Sequence, residues 1–82
     1  MRLPRDLSGQ DLAKLLQRYG YQVTRHTGSH MRLTSRVRGK EHHLTIPGHA
    51  ALRVGTLAGI LADVAGYLEI DRTRLEQELF GR

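Results

Sequence analysis

The stretch YQVTRHTGSHMRLTSRVRGKEHHLTI, residues 21–46, decides the fold. Its apolar residues recur at every second position within short runs rich in β-branched and aromatic residues, and TGS and RGK separate the runs. A period of two marks strands with one buried face, and glycine among small polar residues at the breaks marks tight turns. The stretch therefore predicts a three-stranded antiparallel meander: YQVTRH, HMRLTSRV and EHHLTI. Alternation places Tyr21 and Val23, then Met31, Leu33 and Val37, then His42, Leu44 and Ile46 on the covered face. Gln22, Thr24, His30, Arg32, Thr34, Arg36, His43 and Thr45 fall on the other face, in a register that holds as long as no bulge interrupts it.

Helical patterns flank the meander. In LSGQDLAKLLQRYG, residues 7–20, Ser8 suits an N-cap, Asp11 a shortened capping box, and Leu7 with Leu12 a hydrophobic staple. Leu12, Leu15, Leu16 and Tyr19 follow at helical spacing, and Gly20 suits a left-handed end. Beyond the meander, Pro47 lacks the N–H a ladder needs and ends the third strand; GHAALRVG, residues 48–55, is a loop. Thr56 is the expected cap of a second helix, whose stripe is Leu57, Ile60, Leu61, Val64 and Leu68. Gly59 and Gly66 either weaken that helix or admit something closely packed. Asp71 caps a short last helix stapled by Ile70 and Leu75, with Leu75, Leu79 and Phe80 inward and Gly81 as its stop. The expected fold is α+β, in two layers and the order α-β-β-β-α with a short extra C-terminal helix. It forms a single domain over residues 1–82, with helices on one face of the sheet and the other face open.

The 82 residues contain 13 Lys and Arg, 8 Asp and Glu, five His and no Cys, for a net charge of +5. Without cysteine there is neither a disulfide framework nor a thiolate metal site, which suits a reducing compartment. The N-terminus lacks the apolar run of a signal peptide, and the longest apolar region, residues 50–68, is broken by Arg53 and Asp63. A soluble, cytoplasmic protein with an anionic partner is the expectation, nucleic acid being the commonest such partner.

Five histidines raise the question of a metal, and their placement argues against one. His42 and His43 are strand neighbours that point to opposite faces, while His26 and His30 are separated by a turn. Ser29 adjoins His30, but strand neighbours diverge and no Asp is placed to orient the imidazole, so Ser29 reads as a turn residue. Phosphodiester chemistry suits these residues better. Breaking RNA needs a group that takes a proton from a 2′-hydroxyl or delivers one to the leaving oxygen near neutral pH, and histidine's ordinary pKa of about 6.5 serves both. His30 sits at the start of a strand beside a tight turn. Arg32 and Arg36 share its face, where guanidinium groups pair with phosphate. Gly28 permits the turn and lets a nucleotide approach the main chain. Arg25 and Lys40 are candidate phosphate contacts and His49 a candidate substrate contact. Each has a plainer alternative: His30 as an ordinary exposed strand residue, Arg25 and Lys40 as solvated charges, His49 as a loop residue bonded to the backbone. His42, directed inward, reads as structural, and the few aromatic residues make base stacking a poor source of affinity.

GYQVTRHTGSHMRLT, residues 20–34, and LTIPGHAALRVGTLAGIL, residues 44–61, together resemble the HicA (YcfA-like) mRNA interferase toxins. The N-terminal block is similar to that family's Gly-Ser-His strand-turn-strand signature, and the C-terminal block resembles its Pro-x-His segment followed by Gly-Thr-Leu and Ile-Leu. The resemblance runs from Ser8 to Leu68. It implies a fold like a double-stranded-RNA-binding domain, ribosome-independent cleavage of mRNA and transfer-messenger RNA, and inhibition by a HicB antitoxin; a histidine-based cleavage of this kind is expected to need no metal or other cofactor. It also implies that His30 is the catalytic histidine, completed by Gly28 and Ser29. The chain departs from the family's usual residues at Met31, Ala58 and Gly59, which makes the surface of the second helix less suited to RNA. The residues alone leave two rivals to a nuclease: a non-catalytic RNA-binding domain of the same fold, and a protein-interaction adaptor.

Overall fold

Ser8 opens the first helix. Its hydroxyl accepts the Asp11 amide N–H at 3.0 Å, and α1 runs Gly9–Leu16 in the computed structural model, which describes residues 3–81. A cap of this kind satisfies one of the donors that a helix start leaves free. A short 3₁₀ turn, Gln17–Tyr19, carries the chain to Gly20, whose φ of 82° is the left-handed end expected there.

Three strands follow, β1 (Gln22–Thr27), β2 (His30–Ser35) and β3 (His42–Pro47), paired antiparallel in the order β1-β2-β3. Two helices complete the chain, α2 (Val54–Leu68) and α3 (Arg72–Phe80). The order α-β-β-β-α-α, with helices on one face of a small antiparallel sheet, is the expected two-layer architecture and matches a double-stranded-RNA-binding-domain-like fold. None of the described helices is long and apolar enough to cross a membrane.

Met31, Leu33, Leu44 and Ile46 are buried against Leu12 and Leu16 of α1, Leu57, Ile60, Leu61 and Val64 of α2, and Leu75 and Leu79 of α3. Tyr21 is fully buried at the mouth of β1. Its hydroxyl lies 2.7 Å from His42 Nδ1, and His42 Nε2 lies 3.2 Å from Asp63 Oδ1 on α2. The Asp63 contact takes the Nε2 proton, which leaves Nδ1 to accept from Tyr21. The His42 ring stacks on Tyr67 at 4.7 Å, so this histidine is structural. Burial pushes the Tyr21 hydroxyl well above its usual 10.0, and it keeps the proton this arrangement needs.

Three expectations need correction. Val23 is 47% exposed although it faces the helical side, because β1 is an edge strand whose pairing shifts between Val23 and Arg25. Val37 is 59% exposed. The strand stops before it: the buried Ser35 hydroxyl donates to Tyr19 O at 2.8 Å and accepts from the Val37 N–H, turning the chain out of the sheet. Thr56 is not the cap of the second helix. α2 begins at Val54 with Arg53 as its extended N-cap residue and no side-chain cap, which places Thr56 inside the first turn. Asp71 does occupy the N-cap position of α3, though without a side-chain cap bond.

Candidate functional site

His30 is the first residue of β2, exposed, and paired across the sheet with Thr27 on one side and Pro47 on the other. The turn before it bends at Gly28, with φ 53° and open space where a Cβ would stand. The turn is anchored at Ser29, whose carbonyl oxygen accepts the Gly48 N–H from the loop after β3. A Cβ at Gly48 would lie 2.9 Å from that same oxygen, so only glycine allows the approach. The loop is tied in turn to the start of α1. The Gly9 N–H donates to His49 O at 3.0 Å, the Leu52 N–H donates to Leu7 O at 2.8 Å, and a Cβ at Gly9 would overlap the Pro47 carbonyl. Three segments distant in sequence thus fix the backbone on either side of His30. Among the described residues no side chain hydrogen-bonds to its imidazole, which leaves the ring free to meet a ligand.

The open face continues from His30. The bulge at Thr24 changes which side of β1 faces out. Val23 pairs with Leu33 on the covered side, but the next pair is Arg25 with Arg32, and Arg32 shares the open face with His30. A groove of about 240 Å³ is lined there by Thr24, Arg25, Arg32, Thr34, Arg36 and His43, with Glu41 at its rim. A chain of polar contacts crosses its floor. The Thr24 and Thr34 hydroxyls are 2.9 Å apart, Thr34 Oγ1 is 2.9 Å from His43 Nδ1, and His43 Nε2 is 3.3 Å from Glu41 Oε1. Thr34 is consequently buried although it stands on the polar face. Glu41 also takes the Arg36 guanidinium, with Nε donating to Oε2 at 2.7 Å. That bond, more than the smaller effect of His43, holds the Glu41 carboxyl below its usual 4.5.

The structure gathers His30, Gly28, Ser29 and His49 at one end of the sheet, with Arg25 and Arg32 next along the open face. Arg36 lies further on and is already partnered by Glu41. Lys40 is exposed at the far end, in the connection between β2 and β3, where its carbonyl accepts from the Tyr67 hydroxyl at 2.6 Å. It is a strand's length from His30. His26 pairs with Met31 and so faces the side opposite His30. Among the described residues no three His, Asp or Glu side chains gather as a metal ion would require. Sequence reasoning missed Gly9, Gly48 and the bulge. Gly9 in the first turn of α1 and the Pro47-Gly48 pair were the available signals, but the contacts they make are long-range. Met31, one of the departures from the family's usual residues, is a core side chain at 4% exposure.

The model of a family described as "HicA toxin of bacterial toxin-antitoxin" matches residues 9–65, a span that holds the His30 turn, all three strands and most of α2. The chain belongs to the HicA toxin family. Neither a search of curated proteins nor a search of solved structures gave a match. As a HicA-family member the chain is the toxin component of a toxin–antitoxin pair, and an antitoxin is its partner. The matched span ends before α3, so that helix extends the chain beyond the part shared with the family model.

Proposed function

We propose that this HicA-family toxin is a metal-independent endoribonuclease that cleaves mRNA and transfer-messenger RNA with His30 as its catalytic residue, and that a HicB-type antitoxin inhibits it by covering that site. The observation that carries the reading is the placement of His30: exposed, without a side-chain hydrogen bond among the described residues, on a backbone pinned by Gly48, and on the same face as Arg25 and Arg32. An imidazole so held takes the proton of a 2′-hydroxyl or gives one to the leaving 5′-oxygen. Guanidinium groups on the same face hold the RNA backbone by its phosphates. Attack by the 2′-oxygen leaves a 2′,3′-cyclic phosphate and a 5′-hydroxyl. Gly28 and Ser29 shape the approach to the main chain, and His49 borders it from the loop. The antitoxin surface suited to this face is acidic.

The test incubates wild type and His30→Ala with end-labelled single-stranded RNA at neutral pH in excess EDTA, with binding followed by mobility shift. Cleavage by wild type alone, with both proteins binding and 2′,3′-cyclic ends on the product, is the expected result. General acid–base help is worth about 10²–10⁴-fold, so the loss is measurable even if some activity survives. Binding by both proteins and cleavage by neither would replace this reading with an RNA-binding module, and 5′-phosphate ends would exclude the 2′-hydroxyl mechanism.

A further inference from the structure

The Thr24 bulge has a cost. It sets Arg25 directly across from Arg32, and like charges opposite one another on a sheet destabilise it. Regular alternation would have put Arg25 on the same side as Val23, away from Arg32. Among the described residues, carboxylates partner Arg36, Arg38, Arg72 and Arg74, whereas none reaches Arg25 or Arg32. Both arginines therefore line one groove in which the Glu41 carboxylate is bonded to Arg36, and their cross-strand positions stand roughly 5 Å apart at Cβ. Bulges commonly re-aim a side chain near a functional site, and this one delivers a second guanidinium to the face that carries His30.

We propose that Arg25 and Arg32 form a subsite for one backbone phosphate of the RNA, next along the strand from the phosphodiester at His30. This rests on the RNA-cleaving reading. His30 and Arg32 are two residues apart on β2, a separation of about 7 Å, close to the step between neighbouring phosphates of an extended single strand. A phosphate between two guanidinium groups accepts several charge-assisted hydrogen bonds. Arg36 lines the same groove, but its guanidinium is already paired with the Glu41 carboxylate. The RNA thus crosses the open sheet from His30 toward β1 and the Arg25–Arg32 pair.

Binding is measured in a His30→Ala background, so that cleavage plays no part, with a short single-stranded RNA over a range of salt. Replacing both Arg25 and Arg32 by Gln lowers affinity about tenfold to a hundredfold, the range for losing hydrogen bonds to a charged group. It also makes the slope of log K against log salt shallower by about 0.7, one phosphate on a single strand. Arg72→Gln with Arg74→Gln removes the same charge from α3 and leaves the slope unchanged. An equal effect from the α3 pair, or an unchanged slope in the groove variant, overturns the proposal. So does a groove variant that keeps its RNA affinity while losing antitoxin, because the groove would then be a protein contact. The position is read with an RNA whose cleavage site is mapped and which carries one methylphosphonate next to it. That neutral linkage weakens binding to the protein with both arginines and does nothing further in the groove variant; a loss of the same size in both places the phosphate elsewhere and overturns the subsite. The salt arm needs no cleavage, so failure of the nuclease reading appears only in the EDTA assay. Folding is checked by the melting temperature, which relief of the like-charge pair holds or raises.

Discussion

Gly48 shows how one missing methyl supports the site. Its N–H anchors the Ser29 carbonyl, and a Cβ would press on that oxygen from 2.9 Å. Its φ lies outside the left-handed region, so the constraint is space and not backbone strain. Alanine at this position has to push Ser29 away, and His30 is the next residue. Misplacement of a reacting group by about 1 Å costs on the order of 10²-fold in rate. Gly48→Ala is therefore expected to lower kcat by up to about that factor while RNA binding, assigned above by proposal to Arg25 and Arg32, changes little. Steady-state cleavage kinetics check it: a fall confined to KM, or no fall, would mean that the loop does not position the histidine. His42 makes the opposite point. It was readable as a structural residue because alternation turns it inward, and the structure adds the partners that hold it, Tyr21, Asp63 and Tyr67.

Among the elements, α2 has the least local support for its own length. It lacks a side-chain cap at Arg53 and carries Gly55, Gly59 and Gly66, none of which has anything within 4 Å of where a Cβ would stand. Close packing, one of two readings open from the sequence, is thus excluded for Gly59 and Gly66, and what remains is the entropic penalty. Gly66→Ala is expected to stabilise the protein by about 0.5–1 kcal/mol. For a domain of this size that is a rise in Tm of about 2–8 °C, measurable by thermal denaturation. An unchanged or lower Tm would show that the methyl meets something the helix surface hides. The elements differ in how far sequence could describe them, for a physical reason. The stripe of α2, the Ser8 cap and the inward Leu33, Leu44 and Ile46 follow from local period and chemistry, which act within a turn or a strand. Val23 and Arg25 are set by which residue pairs with which across strands, and Val37 by Ser35, which turns the chain through a bond to Tyr19 sixteen positions away. The histidine's face was legible for the first reason; the guanidinium that the bulge brings beside it was not, for the other.

At the scale of the molecule, the charge of +5 is unevenly neutralised. α3 pairs its arginines within itself, Arg72 with Glu76 and Arg74 with Glu78, whereas among the described residues no carboxylate pairs with Arg25 or Arg32 on the open sheet. The layer that carries the site therefore attracts anions while α3 serves as structure. Leu75 and Leu79 bury its inner face, and Glu78 fastens its end to the 3₁₀ turn. The Tyr19 hydroxyl donates to Glu78 Oε1 at 2.6 Å, Arg74 Nε donates to Oε2 at 3.1 Å, and the Arg18 guanidinium donates to the Glu78 carbonyl. The Tyr19 bond first, and Arg74 after it, hold the Glu78 carboxyl below its usual 4.5, while burial, with the Glu78 bond second, raises the Tyr19 hydroxyl above 10.0. A carboxylate whose pKa is lower folded than unfolded adds stability that is fully present above the unfolded value. That stability is lost as pH falls through the folded one. Wild type is thus expected to exceed Glu78→Gln in urea-unfolding stability by a constant margin from neutral pH down to about 5, and the margin is expected to shrink as the pH is taken below the usual carboxylate range. Glu41 titrates in the same direction in both proteins and cancels from the difference. A margin that persists to about pH 2 would assign the contribution of Glu78 to packing and not to its charge. No margin at any pH would mean that Leu75 and Leu79 dock α3 by themselves.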